Sequence, residues 1–330
     1  MATSGRVTLK HMEKALDVIA LGPLALEYVY EISDPAYVAD LGLREGDDVI
    51  WRDRDQWLLR DRLMIFGELK AVNPGAAAVS TLRVLTALGF KTAIVGTLGR
   101  DREAEEFIRS LGREDTSRIV RKGKTGIVYH IILRGGGRFR VVFPGDSLLS
   151  ERELDCSFFA RSRWIHMVPF LDRKGLEVQG DLRTKVGEGV GLSLDYDSAP
   201  LEPGALLQML QGVEILFARE KDLGFLMAEG DREVIREILK RVGVLVINRG
   251  KRGVSLHVPG GDFHFKPQEG EDLVEVHDVL VGLFLAHHLS GYPPERALER
   301  AARGALLAVG GHGPERYPRP EELREIEALP

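Results

Sequence analysis

The sequence predicts an α/β protein: a mostly parallel sheet with helices on both faces, read as one domain over residues 1–330. Three observations predict it. Short apolar runs recur, each followed by a segment with helical spacing, and strands that alternate with helices make parallel sheets. No Pro/Ser-rich linker divides the chain and no period repeats. With 330 residues, 44% of them hydrophobic and 29% charged, the chain is long enough to bury a large core.

Asp17 to Gly22 (DVIALG) reads as a first buried strand that ends in a glycine turn. A helix pattern follows from Ala76 to Leu88, with Gly89 as its left-handed stop. Lys91–Gly96 is the next strand, and Asp101–Leu111 the next helix with Asp101 as N-cap. Thr125–Arg134 and Arg138–Phe143 flank Gly135-Gly136-Gly137, a hairpin signature, and together with a strand near 27–36 suggest a small side sheet. Alternation then resumes: strands at 164–168, 191–195, 213–218 and 244–248, with helices around 204–211, 219–228 and 231–242. A second hairpin, Val254–Lys266, turns at Pro259-Gly260-Gly261. Helices at about 278–290, 293–309 and 320–329 close the chain.

Charge and composition exclude several function classes. A formal net charge of −5 gives no global field toward nucleic acid or an anionic membrane. The densest basic stretch, Arg134 to Arg140, surrounds a glycine turn and reads as a solvated hairpin. A single cysteine, Cys156, permits no intramolecular disulfide and fits a reducing cytoplasm. The N-terminus lacks a signal peptide's apolar core, and no stretch approaches the roughly 20 apolar residues of a membrane span.

A set of local motifs goes further than periodicity. Gly22-Pro23-Leu24-Ala25-Leu26-Glu27, the stretch Leu41–Asp53, Gly75-Ala76-Ala77-Ala78-Val79-Ser80 with Leu88-Gly89, Gly96–Asp101, Gly250-Lys251-Arg252-Gly253 and Asp272–Asp278 follow one another over most of the chain. In order and spacing they resemble the PfkB, or ribokinase-like, family of sugar and nucleoside kinases. The resemblance implies a three-layer fold with a small β lid, made of strands near 27–36 and 125–145. It also implies ATP and Mg²⁺ as cofactors and a small sugar or nucleoside as acceptor. A homodimer formed through the lid strands is a further expectation.

Phosphoryl transfer to a hydroxyl needs a base, donors for charge on phosphate, and a metal that holds the nucleotide. By resemblance Asp278 is the base, and Glu275, Val276 and His277 stand where the second signature has Gly-Ala-Gly, the anion hole. Bulky residues resist the positive φ that glycine adopts, so the amide cradle is expected to be altered. Arg219 and Asp222 take the places of the magnesium-linked Asn and Glu, with Asp222 the metal candidate. Asn248, Gly250 and Gly253 fall on the nucleotide side. Glu27, Gly75, Ala76, Ser80 and Arg138 (or Arg140) fall on the substrate side.

Each residue also has a plain structural reading. Asp278 serves as a helix-start acid, Glu27 as a solvated strand-edge charge, and Arg219 as an exposed helix-start cation. His277 reads as a lone surface histidine. His287-His288 are adjacent in a helix, not at the i, i+4 spacing a metal wants. Two functions therefore compete: a kinase with altered motifs, and a kinase fold that binds a metabolite or protein without chemistry. A dinucleotide enzyme is the weakest option, because no G-x-G-x-x-G follows the first strand.

Overall fold

We describe the protein from a computed structural model, which describes residues 14–146, 149–187, 189–196, 203–227, 231–269, 271–273, 276–309, 311, 317, 319 and 321–322. The helix expected at 320–329 lies almost wholly outside the described residues, as does Glu275.

The first half of the chain runs β1 (Leu16–Leu21), β2 (Ala25–Ile32), α1 (Ala36–Ala39), β3 (Asp48–Ile50), α2 (Gln56–Phe66), β4 (Gly67–Gly75) and α3 (Ala77–Ala87). It continues through β5 (Thr92–Leu98), α4 (Arg102–Arg109), β6 (Asp115–Arg121), β7 (Gly126–Leu133) and β8 (Arg138–Phe143). The second half opens with α5 (Cys156–Phe159), β9 (Ser162–Met167), α6 (Arg173–Gly180), α7 (Leu182–Val186), β10 (Gly191–Tyr196) and α8 (Pro203–Met209). It then runs β11 (Ile215–Arg219), α9 (Glu220–Met227), α10 (Asp231–Leu239), β12 (Val244–Asn248), β13 (Val254–Val258) and β14 (Gly261–Phe265). Helices α11 (His277–Leu289) and α12 (Pro294–Leu306) follow.

Among the described residues, nine strands form one sheet in the order β14-β13-β12-β11-β10-β9-β1-β5-β6. It is parallel from β12 to β6; the β13–β14 hairpin adds an antiparallel edge. Both faces of β1 are buried. Val18 and Ala20 join the core under α3, α4, α11 and α12, while Ile19 and Leu21 join the core under α5 to α10. A strand with both faces covered reads as an unbroken apolar run, which is why β1, β11 and β12 are legible in the sequence. Helix α11 is buried along most of its length, and its apolar sequence HDVLVGLFLAHHL matches that position.

The expected side sheet exists and is larger than expected: five strands ordered β3-β8-β7-β2-β4. Its two faces are distinct. Tyr30, Tyr129, Ile131, Phe139 and Val141 pack with Leu59 and Leu63 of α2 in a third core. The alternate residues, including Glu27, His130, Arg138 and Arg140, turn toward a cavity beneath. The TGIVYHIILR strand is therefore spent inside the chain on both faces, not exposed as an apolar surface. The basic stretch also divides: Arg134 pairs with Glu31 at 2.9 Å, while Arg138 and Arg140 border the cavity. No helix among the described residues is long and apolar enough to cross a membrane.

Candidate active site

Parallel strands deliver their C-terminal ends to one rim, where α/β sheets hold ligands. Here the five-stranded sheet covers that rim and encloses a cavity of about 390 Å³, within the range of small-molecule sites. Its roof carries Glu27, His130, Arg138 and Arg140. Its floor carries Arg219 from β11, Lys221 from α9, and Asp272, His277 and Asp278 around the start of α11.

Asp278 is the second residue of α11, half-buried on the cavity wall. Val276 occupies the N-cap with φ −117° and ψ 26°, and no side chain among the described residues caps the helix. The first-turn amides lie at the positive end of a 13-residue helix. His277, which stands at a glycine of the signature, is not among the described residues with positive φ; a side chain shapes the turn instead.

His277 is not a surface residue. It is 3% exposed, and its Nε2 lies 2.9 Å from Asp195 Oδ1, an aspartate with no exposed surface. Its Nδ1 lies 3.3 Å from Asn248 Nδ2. Burial disfavours the charged ring, but the Asp195 carboxylate outweighs it and the pKa of His277 is raised. The neighbouring His166, wholly buried, is pushed down to about 4.

Arg219 is also buried, at 8% exposure, because it ends a central strand rather than opening an exposed helix. Its Nε pairs with Asp222 Oδ2 at 2.6 Å. The two positions that stand for Asn-x-x-Glu therefore hold each other. Asp222 does not line the cavity, and among the described residues no cluster of three acidic, histidine or cysteine side chains is arranged to hold a metal.

On the substrate side, Glu27 is 8% exposed rather than a solvated edge charge, since β2 lies between β7 and β4. Its Oε1 accepts the Ala76 N–H at 3.0 Å. Gly75 makes room for that carboxylate, as a Cβ there would overlap Glu27 Cγ and Cδ. Ala76 keeps a φ of 72°, a glycine-like conformation strained for alanine. Ser80 lies buried in α3, away from the cavity wall.

The nucleotide-side turn is closed by side chains. Asn248 Oδ1 accepts from the Gly250 N–H at 2.9 Å and its Nδ2 donates to the Leu273 carbonyl at 2.8 Å. Gly250 and Gly253 both take positive φ, and Glu220 pairs with Arg249 and Arg252 across the turn. None of Asn248, Gly250 and Gly253 borders the cavity. Asp101 caps α4 by accepting the Ala104 N–H at 3.0 Å and also accepts from Thr125, just before β7. His287 and His288 separate: the first meets Tyr292, the second Trp164 and Phe284.

Sequence reasoning passed over Asp48, Lys221 and Asp272. Asp48 Oδ2 lies 3.0 Å from Lys221 Nζ, tying the roof to the floor, and its Oδ1 lies 3.2 Å from Arg140. Burial opposes its ionisation, yet Arg140 and Lys221 prevail and hold its carboxyl below the usual range. The acidic Asp47-Asp48 pair inside the 41–53 motif is the signal that points to it.

A fold with this rim, a roof sheet and an aspartate at a buried helix start defines the ribokinase-like class. The family model for pfkB family carbohydrate kinases matches residues 55–321, and the chain belongs to that family. It is 26% identical over 263 residues to a 2-dehydro-3-deoxygluconokinase of Thermoproteus tenax, covering 73% of this chain and 81% of that one. The fold is similar to adenosine kinase from Sinorhizobium meliloti, with TM-score 0.79 at 16% identity, covering 95% of this chain and 99% of that chain. It is also similar to a ribokinase II candidate from E. coli solved in complex with ATP and Mg²⁺, with TM-score 0.72 at 20% identity over 94% and 98% of the two chains.

Proposed function

We propose that the protein transfers the γ-phosphoryl group of ATP to a hydroxyl of a small sugar or nucleoside, with Asp278 taking the hydroxyl proton. One observation carries the reading: Asp278 borders the same cavity as Glu27 and Arg138 on the roof and Arg219 and Lys221 on the floor. A carboxylate so placed sits between a polar wall suited to hydroxyls and a cationic wall suited to phosphates.

The donor set fits a triphosphate: two floor cations and the positive end of α11 favour anions. Mg²⁺ keeps several waters and takes only one or two protein carboxylates, so phosphates supply most of its site. Asp222 is the carboxylate the sequence offers, and it serves only once it lets go of Arg219. ATP supplies the phosphoryl group and Mg²⁺ neutralises charge on it. Glu27 accepts from substrate hydroxyls, and the roof excludes water as a lid.

The test is a panel of acceptors crossed with nucleotides, including 2-dehydro-3-deoxygluconate and adenosine, the acceptors carried in the names of the relatives. Transfer to one of them is expected, and Asp278→Asn is expected to lower kcat by about 10²–10⁴-fold with little change in melting temperature. An unchanged kcat in that variant removes Asp278 as the base.

A second reading, binding without transfer, is favoured by the Arg219–Asp222 pair, whose side chains are 9% and 8% exposed. It predicts that ATP raises the melting temperature while no acceptor is phosphorylated.

The expected homodimer belongs to this reading as well. Helix α2 exposes Trp57, Met64, Ile65 and Phe66 on the outside of the lid, and we assign lid-to-lid pairing to that apolar side. A monomer in sedimentation at micromolar concentration counts against it.

A further inference from the structure

We propose that His277 is a positioning residue: its ring, clamped between Asp195 on β10 and Asn248 on β12, sets the start of α11 and with it the Asp278 carboxylate. The proposal rests on the reading of Asp278 as the base. Where the family signature shapes this turn with glycine, the chain shapes it with a side chain anchored in the sheet.

The clamp engages both ring nitrogens, at 2.9 Å to Asp195 Oδ1 and 3.3 Å to Asn248 Nδ2. The Asn248 amide is oriented by its other two bonds, to the Gly250 N–H and the Leu273 carbonyl. It therefore presents a donor to Nδ1, so Nδ1 accepts and Nε2–H donates to Asp195. Asp195 Oδ2 is buried with no hydrogen-bond partner among the described residues, which leaves the ring as its hydrogen-bonded neighbour. Asp195 and Asn248 sit near the ends of two strands that flank β11, so the ring is referenced to the sheet. Asp278 is the next residue along the chain.

The ring is surrounded by charged and titratable groups on every side. Asp195 comes from β10, His166 from β9, Arg219 from β11 and Asp278 from its own helix; Asn248 is the neutral contact from β12. Burial works against the charged ring, Asp195 favours it by charge and hydrogen bond, Arg219 opposes it and Asp278 supports it; the outcome is a raised pKa. His166 stays neutral beside it. Protonation puts a hydrogen on Nδ1, facing the Asn248 amide hydrogens. The charged ring then gives up Asn248 and keeps Asp195. The clamp is two-sided in the neutral ring and one-sided in the charged one.

The experiment follows phosphoryl transfer of the full chain from acid to alkaline pH, beside His277→Gly, His277→Asn and Asp195→Asn. His277→Gly is expected to lower kcat by about 10²-fold while KM for both substrates stays within about threefold, because misplacing a reacting group costs rate more than binding. Asp195→Asn keeps an acceptor for Nε2–H. It is expected to stay within about tenfold of wild type, with the acid limb of its profile moved to lower pH once the carboxylate charge is gone. A wild-type kcat in His277→Gly, or an acid limb that is the same in all variants, overturns the proposal.

A second measurement is independent of turnover and of whether His277→Gly folds. The backbone amide resonances of residues 276–280 are followed by NMR against pH in the wild-type chain and in His277→Asn. They are expected to titrate with the His277 ring in the first and not in the second. Should no acceptor be phosphorylated while this titration is present, the kinase reading fails and the clamp stands. Should the resonances ignore the ring, the clamp fails whatever the activity.

Discussion

The starts of α3 and α11 border the same cavity, and each carries a larger residue where the family signature has glycine. They accommodate it in opposite ways. At α3 the backbone keeps the glycine-like conformation: Ala76 sits at φ 72°, held by the hydrogen bond from its N–H to Glu27. At α11 the backbone abandons it: His277, at a glycine position of the signature, is not among the described residues with positive φ, and its buried ring fastens the turn to the sheet. One start stores strain in a dihedral angle. The other replaces conformational freedom with side-chain hydrogen bonds, and a start held by an imidazole is sensitive to pH.

The largest expected effect is on that sensitivity. His166, beneath α11, has a folded pKa of about 4 against an unfolded value near 6.5. A depressed histidine pKa means the unfolded chain binds the proton more tightly. Its contribution is therefore present above pH ~6.5 and lost as pH falls toward the folded value, about 3 kcal/mol in all. His277 acts in the opposite sense: its raised pKa gives stability that is complete below the unfolded value and lost as pH rises through the folded one. Denaturant midpoints against pH are expected to fall on the acid side for the wild type and to flatten there in His166→Gln. Equal acid losses in both proteins would mean that the buried imidazoles under α11 do not govern the response, and the contrast with α3 would lose its main support.

The next effect tests whether the turn beside His277 is held by packed side chains rather than by glycine-like freedom. Val276 is 4% exposed at a dihedral any residue tolerates, so Val276→Gly removes buried apolar surface and adds backbone freedom to the unfolded chain. We expect a loss of about 2–3 kcal/mol by chemical denaturation. A stabilised variant would show that the turn wants glycine after all.

Much of this architecture is legible in the sequence, and what is not has identifiable reasons. Doubly buried strands such as β1 and β12 appear as apolar runs, the 135–137 and 259–261 turns mark both hairpins, and Gly89, at φ 89°, stops α3 as expected. Strand β6 escapes notice because it is an edge strand, with Ser117 and Arg118 exposed and no apolar run. Strand β4 escapes because Glu68 and Lys70 interrupt it where it is exposed. At the site, register with the second signature places Asp278 on the cavity wall, but nothing local distinguishes His277 from a surface histidine. Its partner Asp195 is 82 residues away, and only the sheet brings β10 under α11. Arg219 and Glu27 follow the same rule, because their burial is decided by neighbouring strands rather than by adjacent residues.

The smallest effect has the opposite sign and isolates the α3 side. An L-residue at positive φ costs about 1–2 kcal/mol, and glycine adds back about 0.5–1 kcal/mol of unfolded-state entropy, so Ala76→Gly is expected to stabilise by about 1 kcal/mol or less. The substitution lies before the first helical residue, so no helix-interior penalty enters, and the Glu27 bond to the backbone N–H needs no Cβ. Paired melting curves of Ala76→Gly and Val276→Gly should therefore move in opposite directions, and only the first restores the residue type of the signature. If Ala76→Gly loses stability, the 72° dihedral is not a reservoir of strain. The alanine methyl would then be contributing to packing at the cavity edge, and the two helix starts would differ only in how much surface their side chains bury.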